Sequence, residues 1–307
     1  MFRPEWLRWN PRFELAWLGR TEFFPPPPSL ENIPKICIGT KNRTIGDALM
    51  VSTLPRKLKA KYPHLKIYTY PRAFNPLVFC GNPAVEGIDR LPDQLFGDDC
   101  NSGYGHLIRL KEQYFGLETS NPPRPEIYLS AGEVAGMRSF VERHRWSDRP
   151  LCLIHAWGQT RKADAKRDFW IDLIRKNSHR FRFWQVGLLD QSPLPGCEYY
   201  FFTSRRPDAA RKLFALISQA HAFIGVDSGP MHIARAFGVP SAIVIRQGDI
   251  GEIWRKRREA PYYLNGNRAH TFLYEENTYL EADRLSTDQL LVKAAEFLEK
   301  LGSIGSM

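Results

Sequence analysis

The chain has 307 residues, enough for two domains at the usual one to two hundred residues each. Its 43% hydrophobic and 25% charged residues exclude the disordered, collagen-like and membrane-embedded classes, and no apolar run reaches the roughly 18 residues of a spanning helix. The net charge of +10 favours acidic partners: nucleic acid, an anionic membrane face or phosphorylated small molecules. Met1 to Trp6 lack the basic and apolar regions of a secretory signal, so a cytoplasmic protein is expected. Five widely spaced cysteines (Cys37, Cys80, Cys100, Cys152, Cys197) form no CxxC or Cys/His cluster, which predicts reduced, mostly buried thiols and no zinc site.

Residues 1–34 form an arm in which Phe2, Trp6, Trp9, Phe13 and Trp17 alternate with Arg3, Arg8, Arg12 and Arg20, closed by Pro25 to Pro28. A short helix there carries one aromatic stripe beside arginines; it either packs on the body or lies peripherally on an anionic membrane. Strand and helix signals then alternate. A strand at 35–39 ends in glycine, a helix runs from Gly46 to Tyr62 before Pro63, a strand covers 66–70, a helix covers 75–80, and turns fill the chain to Cys100. A loop at 101–115 carries His106, Arg109 and Lys111. After Asn121 to Pro125 comes a helix at 131–145, and Arg149-Pro150 marks a boundary near 148.

The second half repeats the rhythm, with strands at 151–155, 182–186, 222–226 and 241–245, helices at 169–176, 208–220 and 230–237, and a last helix at 286–301. The expected organisation is the arm 1–34, a Rossmann-like domain 35–148, a second 149–285, and a helical tail 286–307. Alternating strands and helices predict an α/β fold with mainly parallel sheets, and ligands in such sheets sit beyond the carboxyl ends of the strands.

Three segments stand at such strand ends. In Phe223 to Gly238 a strand runs through Asp227-Ser228-Gly229-Pro230 straight into a helix, with His232 one turn in. Proline suits the first turn, and the N–H groups there form a phosphate site, unless the segment is only a capped core helix. Thr40 to Asp47 lies between a strand and a helix and is neither a Walker loop nor GxGxxG. Asp47 is then either a dipole-favoured cap or a general base. His155 to Arg167 follows a strand with Gly158, Thr160 and the cations Arg161, Lys162, Lys166 and Arg167, which suits a diphosphate or a solvated loop.

The order and spacing of these segments resemble the heptosyltransferases of glycosyltransferase family nine. Ile45-Gly46-Asp47-Ala48-Leu49 with Pro55 is similar to that family's Gly-Asp motif, and Lys59 to Pro63 to the helix end that follows it. Gly81-Asn82-Pro83, Lys166-Arg167 and Asp227-Ser228-Gly229-Pro230-Met231-His232 are similar to its later motifs. The resemblance spans residues 35 to 246. It implies the GT-B architecture, two facing Rossmann-like domains with a cleft, and an inverting, metal-independent transfer of a sugar, commonly heptose from ADP-heptose, to a lipopolysaccharide-core saccharide. Asp47 matches the family's catalytic base. Gly46, Thr160, Lys166, Asp227, Ser228, Gly229 and His232 match the donor side, and His106, Arg109 and Lys111 fall where the family binds acceptors. No cofactor and no nucleic-acid partner are expected.

One departure bears on specificity: Arg246-Gln247-Gly248-Asp249-Ile250-Gly251 stands where relatives carry a Phe-Gly-Pro-Thr type turn. Alternatives are a transferase of this fold with another nucleotide sugar, a sugar-nucleotide epimerase, and a non-catalytic sugar-nucleotide-binding protein. A nucleic-acid binder would explain the charge, but no RRM, KH or zinc-finger module is present.

Overall fold

The computed structural model describes residues 29–40, 44–71, 74–90, 95–96, 104–145, 147–158, 165–203, 207–245, 263–265, 268–271 and 273–302. The aromatic and arginine positions of the arm, Thr160 and the turn after Ile245 lie outside them. The chain divides into two compact units, 1–128 with 250–275 and 129–249 with 276–307. The division thus falls at Tyr128, ahead of the helix 131–143, and the region near 148 is a link within the second unit.

In the first unit, strands β1 (Lys35–Ile38), β2 (Lys66–Thr69), β3 (Gly87–Ile88) and β4 (Leu95–Phe96) form a parallel sheet in the order β3-β2-β1-β4. The helix expected over 46–62 is two helices, α1 (Ile45–Met50) and α2 (Leu54–Lys61). Pro55 sits in the first turn of α2, where its missing N–H costs nothing; inside one continuous helix it would have removed an interior hydrogen bond. Helix α3 (Asn75–Phe79) follows β2. Ile36, Ile38, Leu54, Leu58, Ile67 and Phe79 share one buried core with Leu30.

The stretch expected as a loop over 101–115 is instead strand β5 (Tyr104–His106) leading into helix α4 (Leu107–Tyr114). Leu107, Ile108 and Leu110 are buried, a periodicity that the interleaved polar residues mask. Strand β5 belongs to a three-stranded sheet with β11 (Tyr263–Asn265) and β12 (Arg268–Thr271), in the order β11-β12-β5.

The second unit begins with α5 (Ala131–Arg143), opened by a reciprocal capping box between Ser130 and Glu133. Its parallel sheet contains β6 (Leu151–His155), β7 (Arg182–Leu188), β8 (Tyr199–Thr203), β9 (Ala222–Val226), β10 (Ser241–Ile245) and β13 (Thr278–Glu281). Helices α6 (Arg167–Asn177), α7 (Pro207–Ile217), α8 (Gly229–Phe237) and α9 (Thr287–Gly302) complete it. Every residue of β6, β9 and β10 is buried, the mark of a parallel strand covered on both faces.

The strand order is β13-β10-β9-β6-β7-β8, so in order of appearance the strands run 3-2-1-4-5-6, the doubly wound Rossmann order. Neighbouring strands β6 and β9 lead off in opposite directions across the sheet. A crevice opens beyond their carboxyl ends by topology alone, and this is where dinucleotide-type ligands bind. The first unit has the same arrangement over four strands, with its reversal between β1 and β4.

Candidate active site

In the second unit the reversal point is lined by the residue that ends β6, His155, and by the turn that follows β9, Asp227 to Gly229. His155 pairs in register with Gly225. A side chain at Gly225 would stand 2.7 Å from the Phe223 ring and 3.1 Å from the His155 carbonyl oxygen, so only glycine lets the two strand ends lie together undisturbed.

Ser228 is the N-cap of α8, yet its hydroxyl makes no side-chain cap. It donates to the Val226 carbonyl at 3.0 Å and lies 3.0 Å from His155 Nδ1. Pro230 supplies no N–H to the first turn, and the Met231 N–H bonds the Ser228 carbonyl. The left-handed Gly238 closes α8.

Burial sets the ionisation of this turn. It holds the His155 imidazole down to about 4 and that of His232, in the first turn of α8, down to about 3, so both rings are neutral at pH 7. The same desolvation pushes the half-buried Asp227 carboxyl up to about 6. Two neutral rings, a carboxylate and a helix amino terminus form a polar but weakly charged floor, with the positive end of the α8 dipole as its constant field.

The loop after β6 reaches this floor through Ala156 to Gly158. Gln191 holds it: its Nε2 donates to the Trp157 carbonyl at 3.0 Å while its Oε1 accepts from the Leu188 N–H at 3.1 Å. Lys166 follows as the exposed N-cap of α6, without a side-chain cap bond.

The structure places Gly46 and Asp47 in the first turn of α1, in the first unit. Thr44, the N-cap, accepts from the Asp47 N–H at 3.2 Å and donates its hydroxyl to Asp47 Oδ2 at 2.5 Å. Thr40, after β1, is held by the buried Asn75, whose amide accepts from the Thr40 N–H at 3.1 Å and donates to the Thr40 carbonyl at 2.8 Å. Asp47 is thus a first-turn carboxylate tied to the N-cap Thr44, at the reversal point of the first sheet.

On α4, His106 is the N-cap; it is buried, accepts from the Ile108 N–H at 3.2 Å through Nδ1 and packs its ring 4.9 Å from that of Tyr274. Arg109 gives Nε to the Ser120 carbonyl and Nη2 to Asn121 Oδ1. Lys111 is buried. The neighbouring Glu112, fully buried, takes an ion pair from Lys57 at 3.0 Å and both the N–H and the hydroxyl of Ser120. Within the second unit, Asp227, Ser228, Gly229 and His232 come together on one turn. His155 and Asn75 carry only a faint signal in the sequence: each is a polar residue at the edge of an apolar run.

The model of glycosyltransferase family 9, the heptosyltransferases, matches residues 211–246, which run from α7 through the β9–α8 turn to the end of β10. Among solved structures, the glycosyltransferase family 9 protein of Veillonella parvula DSM 2008 is 13% identical with a TM-score of 0.60, covering 88% of this chain and 98% of its own. ADP-heptose lps heptosyltransferase II of E. coli is 14% identical with a TM-score of 0.55, covering 90% of this chain and 100% of its own. The dodecameric iron-containing heptosyltransferase TibC of enterotoxigenic E. coli, in complex with ADP-D-β-D-heptose, is 14% identical with a TM-score of 0.53, covering 87% of this chain and 77% of its own. No curated protein sequence matches the chain.

The resemblance to glycosyltransferase family 9 therefore rests on a matched segment that contains the site and on a fold shared along the chain. That fold is the α/β, GT-B class of the glycosyltransferases. Among the described residues no three His, Cys, Asp or Glu side chains gather as metal ligands. No described helix is long and apolar enough to cross a membrane.

Proposed function

We propose that this protein is an inverting, metal-independent glycosyltransferase that moves heptose from ADP-heptose onto a saccharide acceptor such as a lipopolysaccharide core. The observation that carries the reading is the β9–α8 turn: a helix start without a side-chain cap, at the reversal point of a 3-2-1-4-5-6 sheet, inside the family-matched segment.

The second unit takes the donor. The start of α8 faces the diphosphate with the Gly229 N–H and the positive end of its dipole, and Lys166 and Thr160 bring a cation and a hydroxyl from the loop after β6. Asp227, Ser228 and His232, on the same turn, complete the donor side. These groups stabilise the charge that grows on the departing diphosphate, the part of the barrier where fixed dipoles count most.

The first unit takes the acceptor, with α4, through His106, Arg109 and Lys111, shaping the acceptor side, while Gly46, beside Asp47 in the first turn of α1, meets the donor. Asp47 is the general base. Thr44 fixes Oδ2, and Oδ1 receives the proton of the acceptor hydroxyl as its oxygen attacks the anomeric carbon. One C–O bond forms as the bond to the diphosphate breaks, with inversion; the proton ends on Asp47 and the electron pair on ADP.

The test is ADP release from ADP-heptose with a deacylated lipopolysaccharide core, with and without EDTA. The reading expects acceptor-dependent release that EDTA leaves intact; release that EDTA abolishes and magnesium restores contradicts the metal-independent step. The departure at Arg246 to Gly251 favours one second reading, a transferase with the same turn and a different nucleotide sugar. Release from another sugar nucleotide but not from ADP-heptose would establish it.

A further inference from the structure

The loop after β6 starts beside the end of β7, the neighbouring strand, and a turn at that end holds it. Gln191 closes the turn with its N–H on the Leu188 carbonyl at 3.0 Å, and its side-chain Oε1 accepts in return from the Leu188 N–H at 3.1 Å. This fixes which way the amide faces. With Oε1 spent on Leu188, Nε2 reaches across to the Trp157 carbonyl at 3.0 Å, and the opposite orientation would set donor against donor and acceptor against acceptor.

Two glycines border this bond. A side chain at Gly187 of β7 would begin 2.1 Å from Gln191 Oε1, so the amide occupies the space that any other residue at 187 would need. On the far side, a methyl at Gly158 would stand 3.5 Å from Val226 Cγ2 and 3.9 Å from the Asp227 carbonyl oxygen, which places Gly158 against the β9–α8 turn. A peptide group is planar, so a bond to the Trp157 carbonyl orients the start of Gly158 as well. The ends of β7, β6 and β9 are thereby joined in one line. At the other end of the loop, Arg167 Nη2 donates to the Pro193 carbonyl at 2.9 Å; that bond is exposed and competes with water, so the part-buried amide of Gln191 is the stronger fastening.

We propose that Gln191 is a positioning residue for the donor: through the Trp157 carbonyl it sets the loop after β6 against the Asp227 turn, and residue 187 is glycine because the amide lies over it. The inference rests on the glycosyltransferase reading, in which that loop and that turn face the donor diphosphate, and it adds a residue from a third strand end. Without the amide the Trp157–Gly158 peptide is free to turn, and a bound diphosphate must order it at a cost in affinity.

Binding of ADP is measured by titration calorimetry on the wild type, Gln191→Glu, Gln191→Ala, Gly187→Ala and the double variant Gly187→Ala with Gln191→Ala. Gln191→Glu keeps the shape and the bond to Leu188 but turns a carboxylate oxygen toward the Trp157 carbonyl; one hydrogen bond's net worth corresponds to about three- to tenfold weaker binding at pH 7. At pH 5, where part of that carboxyl is protonated and donates again, its deficit against the wild type at the same pH is expected to narrow, which a merely structural role would not produce. Gly187→Ala is expected to weaken ADP to the same extent, because its methyl evicts the amide, and to cost nothing further once Gln191→Ala has removed it.

Wild-type affinity in Gln191→Glu or in Gly187→Ala overturns the proposal, and so does a deficit of Gln191→Glu that stays constant from pH 7 to pH 5. If the Gln191 variants fail to fold, Gly187→Ala decides alone, since alanine suits a strand better than glycine and displaces only the end of a flexible side chain. Absence of ADP binding by the wild type itself would instead bring down the nucleotide-sugar reading, and this inference with it.

Discussion

At the turn after β9, acidification pulls in two directions. His155 and His232 have folded-state values near 4 and 3, below the ordinary 6.5, so below about pH 6.5 the unfolded chain binds protons that the folded chain refuses. His221, lowered chiefly by burial, acts in the same sense. Asp227, raised from 3.8 to about 6, takes its proton earlier when folded and so opposes them between pH 6 and 4. Several histidines outweigh one carboxyl, and the urea midpoint should be lower at pH 5 than at pH 7; a midpoint that holds or rises would contradict the burial assigned to these rings. Gly225→Ala should destabilise by about 1–3 kcal/mol, the usual range for overpacking, because its added methyl meets the Phe223 ring and the His155 carbonyl. Asp47→Asn should lower kcat by about a hundred- to ten-thousandfold, the span of general-base catalysis, with ADP affinity unchanged. A variant as active as the wild type would leave Asp47 only its first-turn bonds to Thr44.

At the scale of elements, the second unit's first helix is tied down by charge. Arg211 of α7 donates from Nε and Nη2 to the two carboxylate oxygens of Glu133, both at 2.7 Å, and holds that carboxyl at about 2. Because the folded value lies below the ordinary 4.5, this contribution is complete above pH 4.5 and lost as pH falls toward 2. Arg211→Met should cost roughly 1–3 kcal/mol at pH 7, with the difference from wild type shrinking in unfolding curves near pH 2. An undiminished difference would mean that packing, not the ion pair, sets the cost.

The elements also show what the sequence could and could not disclose. Strands β6, β9 and β10 were legible because a parallel strand buried on both faces is a continuous apolar run. Strand β8, Tyr199 to Thr203, is as rich in strand-forming residues, but the Pro and Gly of 193–196 just ahead of it read as a turn. Two-residue strands such as β3 carry no periodicity to read, and the break between α1 and α2 hung on Pro55. The Asp227 turn was legible as a helix start. The turning of Ser228 away from that helix was not, because it depends on a histidine 73 residues earlier that only strand pairing brings alongside.

At the scale of the whole molecule, two α/β units each carry a candidate segment at their own sheet's reversal point: Asp47 after β1, and Asp227 to His232 after β9. Neither the 3-2-1-4-5-6 order nor the return of 250–275 to the first unit can be read from local sequence, since both depend on which distant strands pair. On the proposed reading the chemistry divides as the fold divides the chain, with donor recognition in the second unit and proton removal in the first. Lys166→Ala should weaken ADP binding without altering the stability of either unit, as its side chain is exposed and makes no cap bond. The central claim, that the β9–α8 turn receives a nucleoside diphosphate, is tested most directly by titrating the wild-type protein with ADP, GDP, UDP, dTDP and CMP in a calorimeter. Saturable binding of ADP to a single site is expected, weaker or absent for the other bases; no heat from any nucleotide would contradict the nucleotide-sugar reading.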